Sequence, residues 1–239
     1  MDNLLKIYDT YNLRVRISVG FIVMAPLILS IYLLIPGTRD ISFTAILLLI
    51  AFGMCNLMIS LSRHLGRKAL NKCFTGLLPA QQMLLPNDKS LDNITKKRYH
   101  KFLSSKVKNL TFAKDAENLT SSCSSAVNWL ISQTRDANKF PLIKEESINF
   151  GFVKNLYGLK PIGVVISLFL TVVEGAALII KFKYGLDMVE YPTIIAATTI
   201  SLAFFLLWIC TINKALVIDS GKKYARALLS ACDSEIFNS

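Results

Sequence analysis

The sequence has few of the side chains on which enzymes and metal sites depend. It contains only two histidines, His64 and His100, and neither lies in an HExxH motif or a CxxC-type context. It also lacks a glycine-rich phosphate loop, a GxSxG nucleophile motif and a catalytic pair of carboxylates on one helix face. We therefore predict a protein that is not an enzyme and that needs no metal ion or cofactor.

Cysteine pairs are missing as well. The five cysteines are scattered along the chain without a CxxC motif, and Cys55 and Cys210 lie inside apolar runs. Such positions offer no second thiol for a disulfide and no cluster of ligands for a metal. We interpret all five as reduced, structural thiols.

Charged residues are scarce, whereas long apolar runs are plentiful. Only 18% of the 239 residues are charged and 53% are hydrophobic, with a mean hydropathy of +0.46. Stretches of about 20 apolar residues, the length that crosses about 30 Å of hydrocarbon, lie at 17–36, 41–61, 162–180 and 192–212. The sequence therefore predicts an all-α membrane protein with four spans arranged as two hairpins.

The distribution of Lys and Arg predicts the side of the membrane on which each segment lies. Of the 27 basic residues, 17 fall between the hairpins and only three in the two short turns. By the positive-inside rule, both termini and the middle segment are predicted to be cytoplasmic. The predicted segments are an N-terminal arm at 1–16, hairpin 1 at 17–61, a cytoplasmic domain at 62–160, hairpin 2 at 161–212 and a C-terminal tail at 213–239.

The middle segment has apolar residues at helical spacing and no extended strand-like alternation, so it predicts a basic helical domain. The second span is expected to continue as a helix toward Pro79. Before the third span, residues 139–161 mix aromatic and lysine side chains, which is typical of an interfacial elbow.

The densest basic stretch is KKRYHKFLSSKVKN at 96–109, where cations alternate with aromatic rings. Such a stretch forms a solvated helix face, binds anionic inner-leaflet lipid, or holds single-stranded nucleic acid by phosphate contacts and stacking. These three interpretations remain open. The candidate contact residues are Lys96, Lys97, Arg98, Tyr99, Lys101 and Phe102.

The third span contains a carboxylate, Glu174, within an otherwise apolar run. On a helix, Gly163, Ser167, Thr171 and Glu174 share one small, polar face. Small residues let membrane helices approach closely, and a carboxylate on such a face prefers the bundle interior or a watery lumen. A structural role at helix contacts and a lumen-lining or ion-sensing role both remain open. Candidate partners in the other spans are Asn56, Thr198, Thr199 and Ser201.

Four stretches outside the spans carry a resemblance to a known group of proteins. They are LLPAQQMLLPND (77–88), RYHKFL (98–103), WLISQTRD (129–136) and EESINFGFVKNLYGLKPIG (145–163). Together they resemble small bacterial membrane proteins of phage-defence loci, including the transmembrane effectors carried beside retrons. The resemblance implies an effector that a cytoplasmic protein or ribonucleoprotein holds silent, and that damages the inner membrane when released.

These observations lead to a functional expectation with two alternatives. We expect an effector that acts on the lipid bilayer as a homo-oligomer and permeabilises or depolarises the membrane. Direct contact with nucleic acid is not part of this expectation. The first alternative is a non-conducting anchor that recruits a soluble partner to the inner leaflet. The second is an oligomeric small transporter or channel, which four short spans and one buried acid support less well.

Overall fold

The computed structural model describes residues 15, 17–35, 40–112, 116–185 and 189–237, except for the side chains of residues 41, 116 and 117. The described residues form helices and turns without any β-strand, which confirms the predicted all-helical class. Nearly all of the N-terminal arm at 1–16 lies outside the described residues. The helices are α1 (Ser18–Leu34), α2 (Ile41–Phe74), α3 (Pro79–Leu84), α4 (Asn93–Lys106), α5 (Ala116–Gln133), α6 (Pro141–Tyr184), α7 (Tyr191–Cys210) and α8 (Lys214–Ser230), followed by 3₁₀ turns at Ala231–Asp233 and Glu235–Phe237.

Three of these helices, α2, α6 and α7, are long and apolar enough to cross a membrane. Helix α1 is also apolar, but its 17 residues correspond to about 26 Å of helix against about 30 Å of hydrocarbon. Large apolar side chains remain exposed on the outer surfaces of these helices, among them Leu49, Phe52, Phe169 and Ile195. An apolar exterior of this kind suits lipid rather than water.

The chain divides into two compact units. The first, called the apolar unit, consists of the described residues within 1–69 and 154–213. The second, called the polar unit, consists of the described residues within 70–153 and 214–239. Helices α2 and α6 each contribute residues to both units.

In the apolar unit, helix α1 lies along α7, and small residues bring α2 close to α6. A Cβ atom added to Gly158 would lie 2.7 Å from the backbone nitrogen of Gly66. Near this crossing, the buried Asn155 amide donates to the carbonyl of Val15 at 3.1 Å. The helices therefore approach to backbone contact, as small residues permit in a membrane bundle.

Helix α6 is continuous over 44 residues, so the predicted interfacial elbow is helical and runs directly into the third apolar stretch. Pro161 lies inside this helix although it cannot donate a backbone hydrogen bond. The preceding residue, Lys160, reaches across to the end of α7, where its Nζ donates to the carbonyls of Ile212 at 2.6 Å and Ile209 at 3.3 Å. Its positive charge thus lies at a helix C-terminus, where the helix dipole is negative.

The polar unit has a core of its own, formed by α3, α4, α5, the start of α6 and α8. Met83, Leu84, Leu103, Leu130 and Leu228 are fully buried there. Beside the core, a group of stacked or tilted aromatic rings comprises Phe102, Trp129, Phe140 and Phe237.

Helix α8 and the turns after it, which fall within the predicted C-terminal tail at 213–239, contribute to this core. In α8 and the following turn, Ala225, Leu229 and Cys232 are buried against the other helices. All five cysteines are free, as the sequence predicted. Burial raises the pKa of Cys123 to about 11 and that of Cys232 to about 12, so both remain neutral thiols at physiological pH.

Candidate functional site

The predicted polar face of the third apolar stretch lies against neighbouring helices. Gly163, Ser167 and Glu174 are buried, and Thr171 is half-buried. The hydroxyl of Ser167 donates to the carbonyl of Gly163 at 2.7 Å, and that of Thr171 donates to the carbonyl of Ser167 at 2.8 Å. Both hydroxyls are therefore satisfied by their own helix, and Gly163 gives room to the ring of Trp208 on α7.

Glu174 makes its polar contact with another helix. Its side chain is only 1% exposed, and its Oε1 accepts a hydrogen bond of 2.5 Å from the hydroxyl of Ser30 on α1. The Ser30 Oγ lies 3.5 Å from the Oγ of Ser201 on α7, and both serines are buried. One carboxylate and two hydroxyls from α1, α6 and α7 thus meet inside the apolar unit. We call these three residues the carboxylate cluster.

One carboxylate oxygen of this cluster is not satisfied. Glu174 Oε2 is buried and accepts no hydrogen bond from any described residue. Buried acceptors are almost always paired in proteins, and a buried carboxylate oxygen without a donor is costly. The cluster therefore contains a buried acceptor without a donor among the described residues.

The local sequence explains how the two serines reach the carboxylate. On α1, Ser30 follows Pro26 by four residues, so both lie on the buried face of that helix. On α7, the buried positions Ile194, Ala197, Ser201 and Trp208 recur at helical spacing. The sequence pattern indicates Ser201 as a possible partner but not Ser30, whose signal is a lone serine in the interior of an apolar run.

The other proposed partners do not lie in the cluster. Asn56 is exposed, and its amide donates to the carbonyl of Phe52 in its own helix at 2.8 Å. Thr198 and Thr199 likewise donate to the carbonyls of Ile194 and Ile195, each at 2.8 Å. Asn56 therefore bonds to a carbonyl one turn earlier in α2 and not to the carboxylate cluster.

A second lysine, Lys181, lies two helix turns beyond Glu174 and is buried. Its Nζ donates to the carbonyl of Val189 and lies 4.7 Å from the centre of the Tyr191 ring. This ammonium group links the end of α6 to the start of α7. It stands about 10 Å along the helix axis from the carboxylate.

The basic stretch on α4 serves mainly the polar unit's own fold. Lys96 is buried, and its Nζ donates to the carbonyls of Leu85 at 2.7 Å and Asp88 at 2.6 Å. Arg98 forms an exposed ion pair with Asp233 at 2.8 Å. This contact joins α4 to the C-terminal turn.

The aromatic residues of that stretch do not form an exposed stacking surface. Tyr99 is buried with its hydroxyl 3.2 Å from Asp233, and Phe102 packs between Trp129 and Phe237. Lys97 and Lys101 remain exposed. The structure therefore leaves cations on the surface of α4, whereas the rings are used in packing.

His100 is a packing residue of the polar unit. Its ring stacks on Phe112 with centroids 3.9 Å apart, and its Nε2 lies 3.0 Å from the carbonyl of Leu84. Burial lowers the pKa of His100, which favours the neutral ring with Nε2 as the donor. His100 is therefore a half-buried residue whose contacts lie within the polar unit.

An apolar groove of about 600 Å³ lies between α1, α2 and α7, with Phe21, Leu29, Phe52 and Phe204 among its lining residues. Its lining is apolar throughout, so it suits an acyl chain and offers nothing to orient a polar ligand. Among the described residues, no group of three or more His, Cys, Asp or Glu side chains is placed to hold a metal ion. Comparison of the chain with protein-family models, with curated proteins and with solved structures finds no match.

Proposed function

We propose that the chain is a four-span protein of a bacterial inner membrane that makes the bilayer permeable to small ions when a cytoplasmic partner releases or triggers it. In this proposal both termini and the polar unit are cytoplasmic. The carboxylate cluster lies on the ion pathway. The observation that carries the proposal is the burial of Glu174 against Ser30 and Ser201 within apolar helices.

The burial of a carboxylate among apolar helices requires a physical explanation. Placing a charged side chain in hydrocarbon costs several kcal/mol, and ionisable residues inside membrane segments commonly mark ion or proton pathways. Packing alone would be served as well by an apolar residue of similar volume. The cluster therefore favours a functional role for the polar groups between α1, α6 and α7, in addition to packing.

The same geometry supports a silent resting state. Glu174 is enclosed, so in this arrangement a single chain presents its carboxylate to no aqueous path. Separation of α1 or α7 from α6 would expose one carboxylate and two hydroxyls on the helix surfaces that had been in contact. In an assembly of several copies, these exposed polar surfaces would line a hydrophilic passage.

The enclosed carboxylate also favours a second candidate, a non-conducting anchor. If the three helices never separate, the cluster only holds them together, and the exposed Lys97 and Lys101 contribute to binding a soluble partner or the anionic inner leaflet. The two candidates differ in what the chain does to the membrane potential.

The decisive experiment measures that potential. The chain is expressed from a titratable promoter in bacteria containing a voltage-sensitive dye, beside Glu174→Gln and Glu190→Gln. Glu190 is exposed at the start of α7, so its variant makes the same chemical change outside the cluster. The wild type and Glu190→Gln are expected to depolarise the cells, and Glu174→Gln to do so much less at equal membrane abundance. Expression of the chain alone supplies no partner to hold it silent, so an unchanged potential at high wild-type expression would contradict a leak controlled by release and would support the anchor or an effector that needs its trigger.

A further inference from the structure

We infer that the carboxylate cluster binds a single monovalent alkali-metal cation. Glu174, Ser30 and Ser201 supply the protein ligands. The inference deepens the proposed function because it names the class of ion that the pathway would select. Its biological meaning rests on that proposed function.

The ligand atoms are of the kind that such ions prefer. The cluster offers carboxylate and hydroxyl oxygens, which are hard donors, and Ser30 Oγ lies 2.5 Å from Glu174 Oε1 and 3.5 Å from Ser201 Oγ. Oxygen ligands favour alkali and alkaline-earth ions, whereas softer metals prefer nitrogen or sulfur. Ser30 and Ser201 can each rotate a lone pair toward a cation, since a hydroxyl both donates and accepts.

The unsatisfied oxygen is the second, independent observation. Glu174 Oε2 has no hydrogen-bond donor among the described residues. Solvent does not supply one either, because the residue is only 1% exposed. An ionised carboxylate in that position requires a positive partner, and a bound cation supplies one at the free oxygen.

Charge balance selects a monovalent ion. One carboxylate and one monovalent cation form a neutral pair, which is the least costly arrangement in a low-dielectric interior. A divalent cation would leave one net positive charge among apolar helices. The Nζ of Lys181 donates to the carbonyl of Val189 beyond the end of α6, and it is not a donor to Glu174 Oε2.

The test is the thermal unfolding of the purified full-length protein in a neutral detergent, followed by intrinsic tryptophan fluorescence. Chloride salts of sodium, lithium, potassium, magnesium and choline are compared at equal ionic strength and constant pH. At a sodium concentration about ten times the dissociation constant, Tm is expected to rise by about 3 °C over choline. Glu190→Gln should keep this rise and Glu174→Gln should lose it.

A second variant covers the possibility that Glu174→Gln does not fold. Ser201→Ala keeps the carboxylate and removes one ligand, so the midpoint of the sodium titration should move to about tenfold higher concentration. An equal Tm in all five salts would overturn the inference. So would a larger shift with magnesium than with sodium, or a Tm that responds to pH but not to the replacement of choline by an alkali ion.

The outcome separates the site from the proposed function. Sodium-dependent stabilisation without depolarisation in cells would keep the cation site and contradict a leak controlled by release. Depolarisation that depends on Glu174, combined with a Tm insensitive to sodium, would keep the leak and refute the cation site.

Discussion

Glu174 differs from the other polar side chains of the apolar unit in what its own helix can offer it. The hydroxyls of Ser167, Thr171 and Thr198 donate to carbonyls one helical turn earlier. In the carboxylate form, Glu174 only accepts hydrogen bonds, as helix carbonyls do, so its donor must come from another helix. Ser30 is that donor, and it therefore holds α1 against α6.

Removing the Ser30 hydroxyl should destabilise the protein more than removing an equally buried hydroxyl elsewhere. Ser30→Ala takes away a charge-assisted hydrogen bond and leaves a second buried oxygen without a donor, which costs about 1–3 kcal/mol. The matched control is Ser62→Ala on α2, where a fully buried hydroxyl donates to the carbonyl of Ile59 within its own helix. Thermal unfolding in detergent is expected to show a Tm lower by several degrees for Ser30→Ala than for Ser62→Ala. Equal values would mean that the Ser30 bond adds no stability.

At the scale of the helices, apolar periodicity predicts the main elements well. The stretch at 162–180 lies within α6, and its polar face is the buried one. Periodicity does not reveal which polar side chains pair between helices, since Ser30 on α1 bonds to Glu174 whereas Thr199 on α7 bonds within its own helix. Periodicity also does not distinguish an exposed lysine from a buried one. Lys96 is buried because its long aliphatic stem packs while its Nζ reaches two carbonyl oxygens.

The crossing of α2 and α6 depends on glycine, which leads to a prediction at the same scale. In Gly158→Ala, the new methyl group would lie 2.7 Å from backbone atoms of Gly66 and Leu65, which cannot rotate away. The helices would have to separate, at a cost of about 1–3 kcal/mol. Gly175→Ala on the same helix meets nothing within 4 Å, and it should be neutral or stabilising by up to about 1 kcal/mol.

Thermal unfolding of the two alanine variants in detergent checks this prediction, with crosslinking between α2 and α6 as a second readout. Gly158→Ala is expected to lower Tm and to weaken the crosslink, whereas Gly175→Ala should change neither. If both variants behaved like the wild type, the two helices would not be in backbone contact at this crossing.

At the scale of the whole molecule, the sequence and the structure divide the chain differently. Hydropathy separates apolar stretches from polar ones, so it places the residues after 212 in a tail. The structure joins α8 to the polar unit because Ala225, Leu228 and Leu229 complete a core begun by α3, α4 and α5. A core assembled from distant segments depends on which apolar faces meet, and a local sequence pattern does not contain that information.

The number of spans is the whole-molecule property that depends most on α1. Its 17 residues give about 26 Å of helix, a few ångströms less than the hydrocarbon thickness. A mismatch of this size costs only fractions of a kcal/mol per ångström and is met by local thinning of the bilayer. We therefore expect α1 to span, with the N-terminus, the polar unit and the C-terminus on the cytoplasmic side.

Three single substitutions to cysteine at lysine positions test this topology: Lys6→Cys, Lys97→Cys and Lys183→Cys. Lys97 and Lys183 are both exposed, so their labelling by a membrane-impermeant maleimide reports the side of the membrane rather than burial. In intact cells, Lys183→Cys should be labelled above the level of the unsubstituted chain, whereas Lys6→Cys and Lys97→Cys should be labelled only after permeabilisation. Labelling of Lys6→Cys from outside, together with protection of Lys97→Cys, would mean that α1 does not cross. Ser30 could then not reach Glu174 from within the bilayer, and the carboxylate cluster would lose its α1 ligand in the membrane.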